Sequence, residues 1–536
     1  MKIILILLFI SFSVHAQQED ALVYLVDKEN VEEFINQPNT ILSQRSIDRK
    51  GRHSTPIDSR DVPVNEEFIT ILKNKEHVQV LAKSKWMNSV YIRGDLTEIE
   101  KLKDLYFVAS IEFLNKTLNQ PNLEKDELPK NSVVYNVRDY NYGSALNQTQ
   151  MISLESLHDR GLNGDGMHIA IMDSGFPNIT ENPAYSSLIS EGRLLGTYDF
   201  VDRSRNVQGF GTHGSQTLSV MAGLKENEFI GTAPQASYYL FRTEFTPSEN
   251  PVEEAWWVEA LERADSLGID VVNTSLGYRD FDESKYNYGY EDLDGNTTIS
   301  ARGANIGFEK GMLIVTSAGN DGQATFNTVA TPADSPGVLS IGAVDSLGEY
   351  AAFSSMGPTV DGRIKPDVMA QGKSTAILDT NGNLDFVNGT SFSSPIIAGA
   401  AACLWEGLPS LKNSQIMDLI RESGSQYLNP SNEMGYGIPN FESTYQKGLL
   451  LKLNNDFFQD RFGIAENPVA SEVVFSIPHG ILHADIQFFD VLGKKILQTK
   501  ITNSANRVNV SQFDSGIYIA LITSGRISNS FKIIKR

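Results

Sequence analysis

The chain reads as an α/β protein, a doubly wound, mostly parallel sheet preceded by a small α+β unit and followed by a small all-β unit. Three observations predict this. Between about residues 150 and 450, apolar runs alternate with helix-like segments, as in MHIAIMD (167–173), HGSQTLSVMAG (213–223), YYLFRTE (238–244) and IDVVNTS (269–275). Strands that are apolar throughout and separated by helices belong to a parallel sheet covered on both faces. Beyond about residue 455 short strands follow one another through turns such as VLGK and DSG, with no helical period. Ahead of residue 115, four short strands accompany one helix-like segment. At 536 residues, 41% hydrophobic and 21% charged, the chain has a globular composition and is too long for one ordinary domain.

The first residues, MKIILILLFISFSVHAQQ, set one cation at Lys2 before an apolar run from Ile3 to about Phe12 and small-residue positions at Val14 and Ala16. This predicts a signal peptide over 1–16, cut after Ala16. The run is well short of the roughly 20 apolar residues that span a bilayer, and no later stretch is long enough either. Residues 17–125 form the α+β unit: strands at ALVYLVD (21–27), HVQVLA (77–82), NSVYIR (88–93) and FVASIEF (107–113), a helix at TEIEKLKDL (97–105), then the polar linker NKTLNQPNLEKDELPKNS (115–132).

The α/β domain, expected over 126–450, continues with a helix from about Glu253 to Gly268, a polar insertion, a helix near Arg302 to Lys310, the strands MLIVTS (312–317) and VLSIGAV (338–344), and a helix near Ser414 to Ser423. The all-β unit, 455–536, contains VVFSI, ADIQFFD, KKILQT, RVNV, GIYIALI and FKIIK. There is no internal repeat and no low-complexity tract.

Acidic residues outnumber basic ones 66 to 45, a net charge of −21, which repels phosphate backbones and anionic lipid and excludes nucleic acid as a partner. Cys403 is the single cysteine, so no disulfide can form within the chain; in AAACLW it is expected to be a buried structural thiol.

Chemistry is expected at three places. Asp173 stands at the carboxyl end of the first strand of the α/β region, before Ser174 and Gly175; His213 opens the helix GTHGSQTLSVMAG; and GTSFSSP (389–395) offers three serines. Ligands of parallel sheets gather at strand carboxyl ends. A serine hydroxyl becomes nucleophilic when a neutral imidazole takes its proton, and the imidazole needs a carboxylate to fix its tautomer and stabilise its cation. Ser391 suits the nucleophile, since Gly389 permits a sharp turn and the following helix presents its positive end. Ser393 and Ser394 fall further into that helix and read as packing or capping residues.

The order Asp, His, Ser with these surrounding words resembles the subtilase family of serine proteases. The resemblance covers roughly residues 150–447 and rests on DSG (173–175), GTHG (211–214), GTAPQA (231–236), NTSLG (273–277), SAGNDG (317–322), IGAVD (341–345), FSSMGP (353–358), KPDVMAQG (365–372) and GTSFSSP. It implies a secreted serine endopeptidase with Asp173, His213 and Ser391 as the triad and Asn320 as a side-chain donor to the oxyanion. It also implies that Ser275, Leu276 and Gly277 pair with an extended polypeptide substrate, and that Ala318 and Gly319 form a wall of the specificity pocket, with Ala330 at its floor and a medium or large apolar side chain favoured there. Gln371 stands where the family usually has Pro. The insertion YRDFDESKYNYGYEDLDGNTTISARG (278–303) is expected near the cleft, where it would narrow substrate choice. No cofactor is required for this chemistry; Asp292, Asp294 and Asn296 offer oxygens for a structural Ca²⁺, against the alternative of a solvated acidic loop.

The amino-terminal unit resembles the propeptides of secreted subtilases, which implies a zymogen inhibited by its own propeptide. The carboxyl-terminal unit resembles sorting domains of type IX secretion, which implies export through the periplasm by dedicated machinery to the medium or the cell surface. An α/β-hydrolase would need a G-x-S-x-G elbow and the order Ser, Asp, His, and has neither here. A non-catalytic surface-binding protein on the same scaffold is the alternative from another class.

Overall fold

The computed structural model of the chain describes residues 17–119, 141–459, 462–465, 467–477, 481–502, 505–525 and 527–536. The predicted signal peptide and the predicted 125/126 boundary lie outside them. Two bodies separate, one up to Lys447 and one from Gly448.

In the first body, β1 (Gln18–Leu25), β2 (Val78–Ser84), β3 (Ser89–Asp95) and β4 (Val108–Phe113) form an antiparallel sheet in the order β2-β3-β1-β4. Side chains alternate between faces along a strand. Ala21 and Val23 of β1 face a core with Leu72, Val90, Ile92, Ile99 and Phe107. Their neighbour Leu22 faces the other way, joining Ala82, Tyr91, Ala255 and Val258 in the core shared with the α/β domain. Strands β1 and β3 are covered on both faces and buried at most positions, whereas β2 keeps Gln79 exposed and β4 keeps Ala109 and Ser110 exposed. The unit also holds α1 (Gln44–His53), α2 (Glu66–Lys73) and α3 (Leu96–Lys101). The first two were not expected. Helix α1, QRSIDRKGRH, has one aliphatic residue, yet Ser46, Arg49, Lys50 and His53 are buried, a helical face made of charge rather than hydrocarbon.

The α/β domain is built on seven parallel strands: β5 (His168–Asp173), β6 (Leu194–Asp199), β7 (Ser237–Arg242), β8 (Val271–Thr274), β9 (Leu313–Ser317), β10 (Val338–Val344) and β11 (Val368–Gln371), in the order β11-β10-β9-β8-β5-β7-β6. Strands β8 to β10 are buried at every position, as continuous apolar runs require. Helices α4 (His213–Ala222) and α7 (Thr390–Glu406) cover one face, α5 (Val252–Leu267) and α6 (Ile299–Glu309) the other.

Helix α7 runs through the interior on small residues. A Cβ on its Gly399 would come within 2.0 Å of Thr232 Oγ1, so only glycine admits this approach. Cys403 on the same helix is fully buried and its Sγ donates to the Thr232 carbonyl at 3.2 Å. The segment DTNGNLDFVN (379–388) holds the turn and second strand of a hairpin: β12 (Thr375–Leu378) pairs antiparallel with β13 (Leu384–Val387). Asp379 Oδ1 closes the turn by accepting from the backbone N–H groups of Asn381 and Asn383, each at 2.8 Å.

The second body contains β14 (Gly463–Ile464), β15 (Glu472–Ser476), β16 (His483–Asp490), β17 (Lys495–Thr502), β18 (Arg507–Asn509), β19 (Gly516–Ser524) and β20 (Ile527–Lys535). They form a three-stranded sheet, β14-β15-β18, and a four-stranded one, β17-β16-β19-β20. Val473, Phe475, Ile486, Phe488, Ala520 and Ile522 make its own core. Among the described residues no helix is long and apolar enough to cross a membrane.

Candidate active site

The four predicted catalytic positions gather where the parallel sheet presents its carboxyl edge. Asp173 ends β5 and is fully buried. Its Oδ1 accepts from Ser174 N at 2.7 Å and Ser174 Oγ at 3.2 Å, and its Oδ2 from Thr217 Oγ1 at 3.2 Å. His213, the first residue of α4, brings Nδ1 to 2.9 Å from Oδ1 and 3.0 Å from Oδ2 of that carboxylate. An ionised carboxylate accepts only, so Nδ1 carries the proton and Nε2 keeps its lone pair, facing away from Asp173. Burial by itself would lower the pKa of the ring; the Asp173 charge and its hydrogen bond outweigh it, and the pKa is raised above the ordinary 6.5.

Ser391 is the second residue of α7. The turn into the helix is made by Gly389 at φ 148°, ψ 147°, a conformation that strains any side-chain-bearing residue. Phe392, its neighbour, packs its ring 5.6 Å from the His213 imidazole, so the strand-end pair and the helix start meet here. The Ser391 hydroxyl donates to the Ser275 carbonyl at 3.2 Å, and Ser275 Oγ donates back to the Ser391 carbonyl at 2.7 Å. Of the other two serines, Ser393 donates to the Thr390 carbonyl at 3.0 Å and Ser394 to Asn273 Oδ1 at 2.9 Å. Both are buried within the helix packing, as expected.

Asn320 lies in the loop after β9. Its Oδ1 accepts from Thr390 N at 2.9 Å and Thr390 Oγ1 at 3.0 Å. A backbone N–H must face an oxygen, so this contact fixes the amide orientation and leaves the NH₂ free to donate beside Gly389 and the first turn of α7. The loop is held by Ser355, whose N–H donates to the Gly319 carbonyl at 2.9 Å and whose Oγ accepts from Asp321 N at 3.0 Å.

Along the cleft, Ser275 is buried, Leu276 half-buried and Gly277 exposed, while Ala318 is buried and Gly319 half-buried. A Cβ on Gly277 would lie 3.2 Å from the Ala330 methyl, which puts Ala330 beside the expected pocket. Behind it Tyr278 and Thr331 exchange backbone hydrogen bonds, and Tyr278 Oη donates to buried Glu244 at 2.8 Å.

The insertion has two attachments. Tyr278 ties its start to Thr331, while Lys285 donates to the Gln18 carbonyl at 2.7 Å, Tyr286 Oη accepts from Asp20 N at 3.1 Å and Arg302 pairs with Glu112 at 2.9 Å. It therefore contacts the amino-terminal unit as well as the pocket region. The three oxygens considered for Ca²⁺ are engaged by protein donors: Asp292 by Lys116 at 2.5 Å, Asp294 by Asn296 N and Thr297 N at 2.7 Å each, and Asn296 Oδ1 by Asn305 at 3.2 Å. Among the described residues no group of three His, Cys, Asp or Glu side chains is placed to hold a metal.

Thr217 was missed by sequence reasoning. The signal was available: a hydroxyl four residues after His213 lies on the same helical face and reaches the same carboxylate.

The arrangement can transfer a proton from a hydroxyl to an imidazole backed by a carboxylate, with amide donors nearby for a developing anion. The model of the subtilase family matches residues 164–437, that of the peptidase S8 propeptide domain of Bacteroidota residues 20–131, and that of the secretion system C-terminal sorting domain residues 466–536. Subtilisin NAT of Bacillus subtilis subsp. natto is 29% identical over 298 residues, 55% of this chain and 70% of that protein. Subtilisin of Bacillus pumilus is 28% identical over 298 residues, 55% of this chain and 96% of that protein. Among solved structures, the MycP3 protease from the type VII (ESX-3) secretion system aligns with TM-score 0.42 and 22% identity, over 59% of this chain and 94% of that one.

Proposed function

The chain belongs to the subtilase family, and on that premise we propose that it is a secreted serine endopeptidase made as a zymogen, with Asp173, His213 and Ser391 as its triad and Asn320 as an oxyanion donor. The observation that carries this reading is the bidentate approach of His213 Nδ1 to Asp173, with its ring set against Phe392, next to Ser391.

In the proposed reaction the Ser391 side chain turns from the Ser275 carbonyl to His213, a change between staggered rotamers. Nε2 takes the hydroxyl proton as Oγ bonds to the scissile carbonyl carbon. The negative charge that develops on the carbonyl oxygen is met by the Asn320 NH₂ and by the Ser391 N–H at the start of α7, its neighbours Thr390 N–H and Phe392 N–H being engaged by Asn320 Oδ1 and the Gly389 carbonyl. The imidazolium is stabilised by Asp173 and returns the proton to the leaving amine. Water, activated by the same nitrogen, then frees the acyl group from Ser391. Ser275 to Gly277 would hold the substrate backbone by strand addition.

The propeptide lies ahead of this machinery in the chain and the sorting tail after it. We assign inhibition to the first and delivery to the second. Truncation after residue 452 is expected to stop export while leaving hydrolysis by the catalytic domain intact; normal export would count against that assignment.

The decisive experiment is Ser391→Ala. Peptide hydrolysis should fall by about 10⁶-fold, the scale of losing a triad nucleophile, and labelling by a fluorophosphonate should disappear, with the melting temperature unchanged. Hydrolysis persisting in that variant would overturn the proposal, and a wild-type chain that neither hydrolyses nor labels would favour a binding role for the scaffold.

A further inference from the structure

Helix α1 and the loop that follows it grip the α/β domain at the edge opposite the catalytic residues. Ser43 N donates to the Ser266 carbonyl at 2.9 Å, and Arg45 to the Gly268 and Gly166 carbonyls at 3.0 and 2.9 Å. Arg45 also pairs with Asp270, which immediately precedes β8. Arg49 bonds the Ile269 carbonyl and the Asp265 carboxylate, and Lys50 sits 2.9 Å from Asp265. Lys310, just ahead of β9, reaches Asp61 at 2.8 Å and Asp58 at 3.0 Å. Residues 265–270 and 310 lie at the amino ends of β8 and β9, whereas Ser275 follows the carboxyl end of β8. Five strand steps separate Asp270 from Ser275, about 17 Å.

The side chains of Arg49 and Asp265 have no exposed surface and that of Lys50 only 1%. Burial would raise the Asp265 carboxyl, and Lys50 and Arg49 bring it down to about 2. A charge this deep is tolerated only when matched. The α/β domain contributes a fully buried anion, Asp265, and a fully buried cation, Lys310, with Asp270 and Glu309 pairing Arg45 and Arg60 at the rim. The propeptide meets the two buried charges in register, with Arg49 and Lys50 for the first and Asp58 and Asp61 for the second. A helix lacking the cations, or lacking the acids about ten residues later, would leave a buried charge alone.

We propose that this amino-edge surface is a docking site for a basic helix followed by an acidic turn, and that through it the propeptide is held independently of whatever occupies the cleft. The propeptide then has two grips on the domain: its sheet and trailing segment on the α5/α6 face and the insertion, and α1 at the far edge. Cutting the chain and clearing the cleft leaves the far grip intact, so the rate at which cut propeptide departs is set largely there. This rests on the propeptide assignment and not on the catalytic one.

The test uses the full chain carrying Ser391→Ala, with a recognition sequence for a site-specific protease placed between residues 120 and 140, so that cutting owes nothing to the chain's own triad. After cutting, the dissociation rate of the propeptide is followed by size exclusion over time. Arg49→Met with Lys50→Met should raise that rate at least 100-fold. Should that variant not fold, Arg45→Ala, at the part-exposed rim, should raise it about 10-fold. Rates unchanged in the variants that fold would overturn the proposal, because the sheet and cleft contacts would then account for the whole of the binding.

Discussion

The two edges of the same parallel sheet handle polar groups in opposite ways. At the amino edge, charges are matched in pairs: Asp265 has two cations, Lys310 two carboxylates, and strand-entry carbonyls are taken by arginines. At the carboxyl edge, donors and acceptors are deliberately left over. The His213 side chain is one-third exposed, with Nε2 turned from its carboxylate, and the Asn320 amide is pinned through its oxygen while its nitrogen stays free. Stability comes from completing hydrogen bonds, and reactivity from leaving a few incomplete in fixed positions. One strand, β8, therefore ends in a sealed joint on one side and an open site on the other.

The comparison can be broken most severely at Asp173. Asp173→Asn should cut turnover by about 10⁴-fold by removing the group that fixes the tautomer. It should also move the acid limb of kcat/KM. Activity needs neutral His213 and is lost as pH falls through its raised pKa; without the carboxylate, burial acts unopposed and the limb should drop below pH 6.5. A pH–rate profile checks both. At the amino edge, Lys310→Met removes the cation shared by Asp58 and Asp61, which keep Arg60 and Lys50 respectively, and should destabilise the uncut chain by about 1.5–3 kcal/mol in denaturant unfolding. Hydrolysis by the separated catalytic domain should not change, which is the asymmetry between edges stated as a measurement. Asn320→Ala should lower turnover by about 10²- to 10³-fold with little change in KM, because its bond forms chiefly in the transition state. The smallest effect is expected at Thr217. Thr217→Val removes one donor from Asp173, worth about 0.5–1.5 kcal/mol, so the carboxylate attracts the imidazolium more strongly. The acid limb should move to higher pH and turnover at neutral pH fall about 2- to 10-fold.

The sequence disclosed the carboxyl edge far better than the amino edge. Strands such as MHIAIMD and MLIVTS announce themselves by unbroken apolarity, and Asp173, His213 and Ser391 occur within short words whose glycines mark the turns. The amino edge is written in residues that resemble any solvated helix. Nothing local separates the buried Arg49 and Lys50 from the exposed Arg52, because what buries the first two is Asp265, more than 200 residues away. The β12–β13 hairpin is obscured differently: its turn, DTNGN, is polar, and its second strand, LDFV, contains an aspartate and is only partly buried. The edge strand β6, LLGTYD, carries a glycine and is only partly buried, so its apolar signal is weak.

The single thiol has a practical consequence. Cys403 is fully buried and burial raises its pKa well above the ordinary value, so on the native fold it is protonated and out of reach of maleimides. A cysteine introduced at Leu428, 92% exposed in the first body, or at Leu492, 91% exposed in the second, would accept a probe without any background to remove. With one probe on each, the separation of the two bodies becomes directly measurable by energy transfer or spin–spin coupling, in the otherwise natural chain.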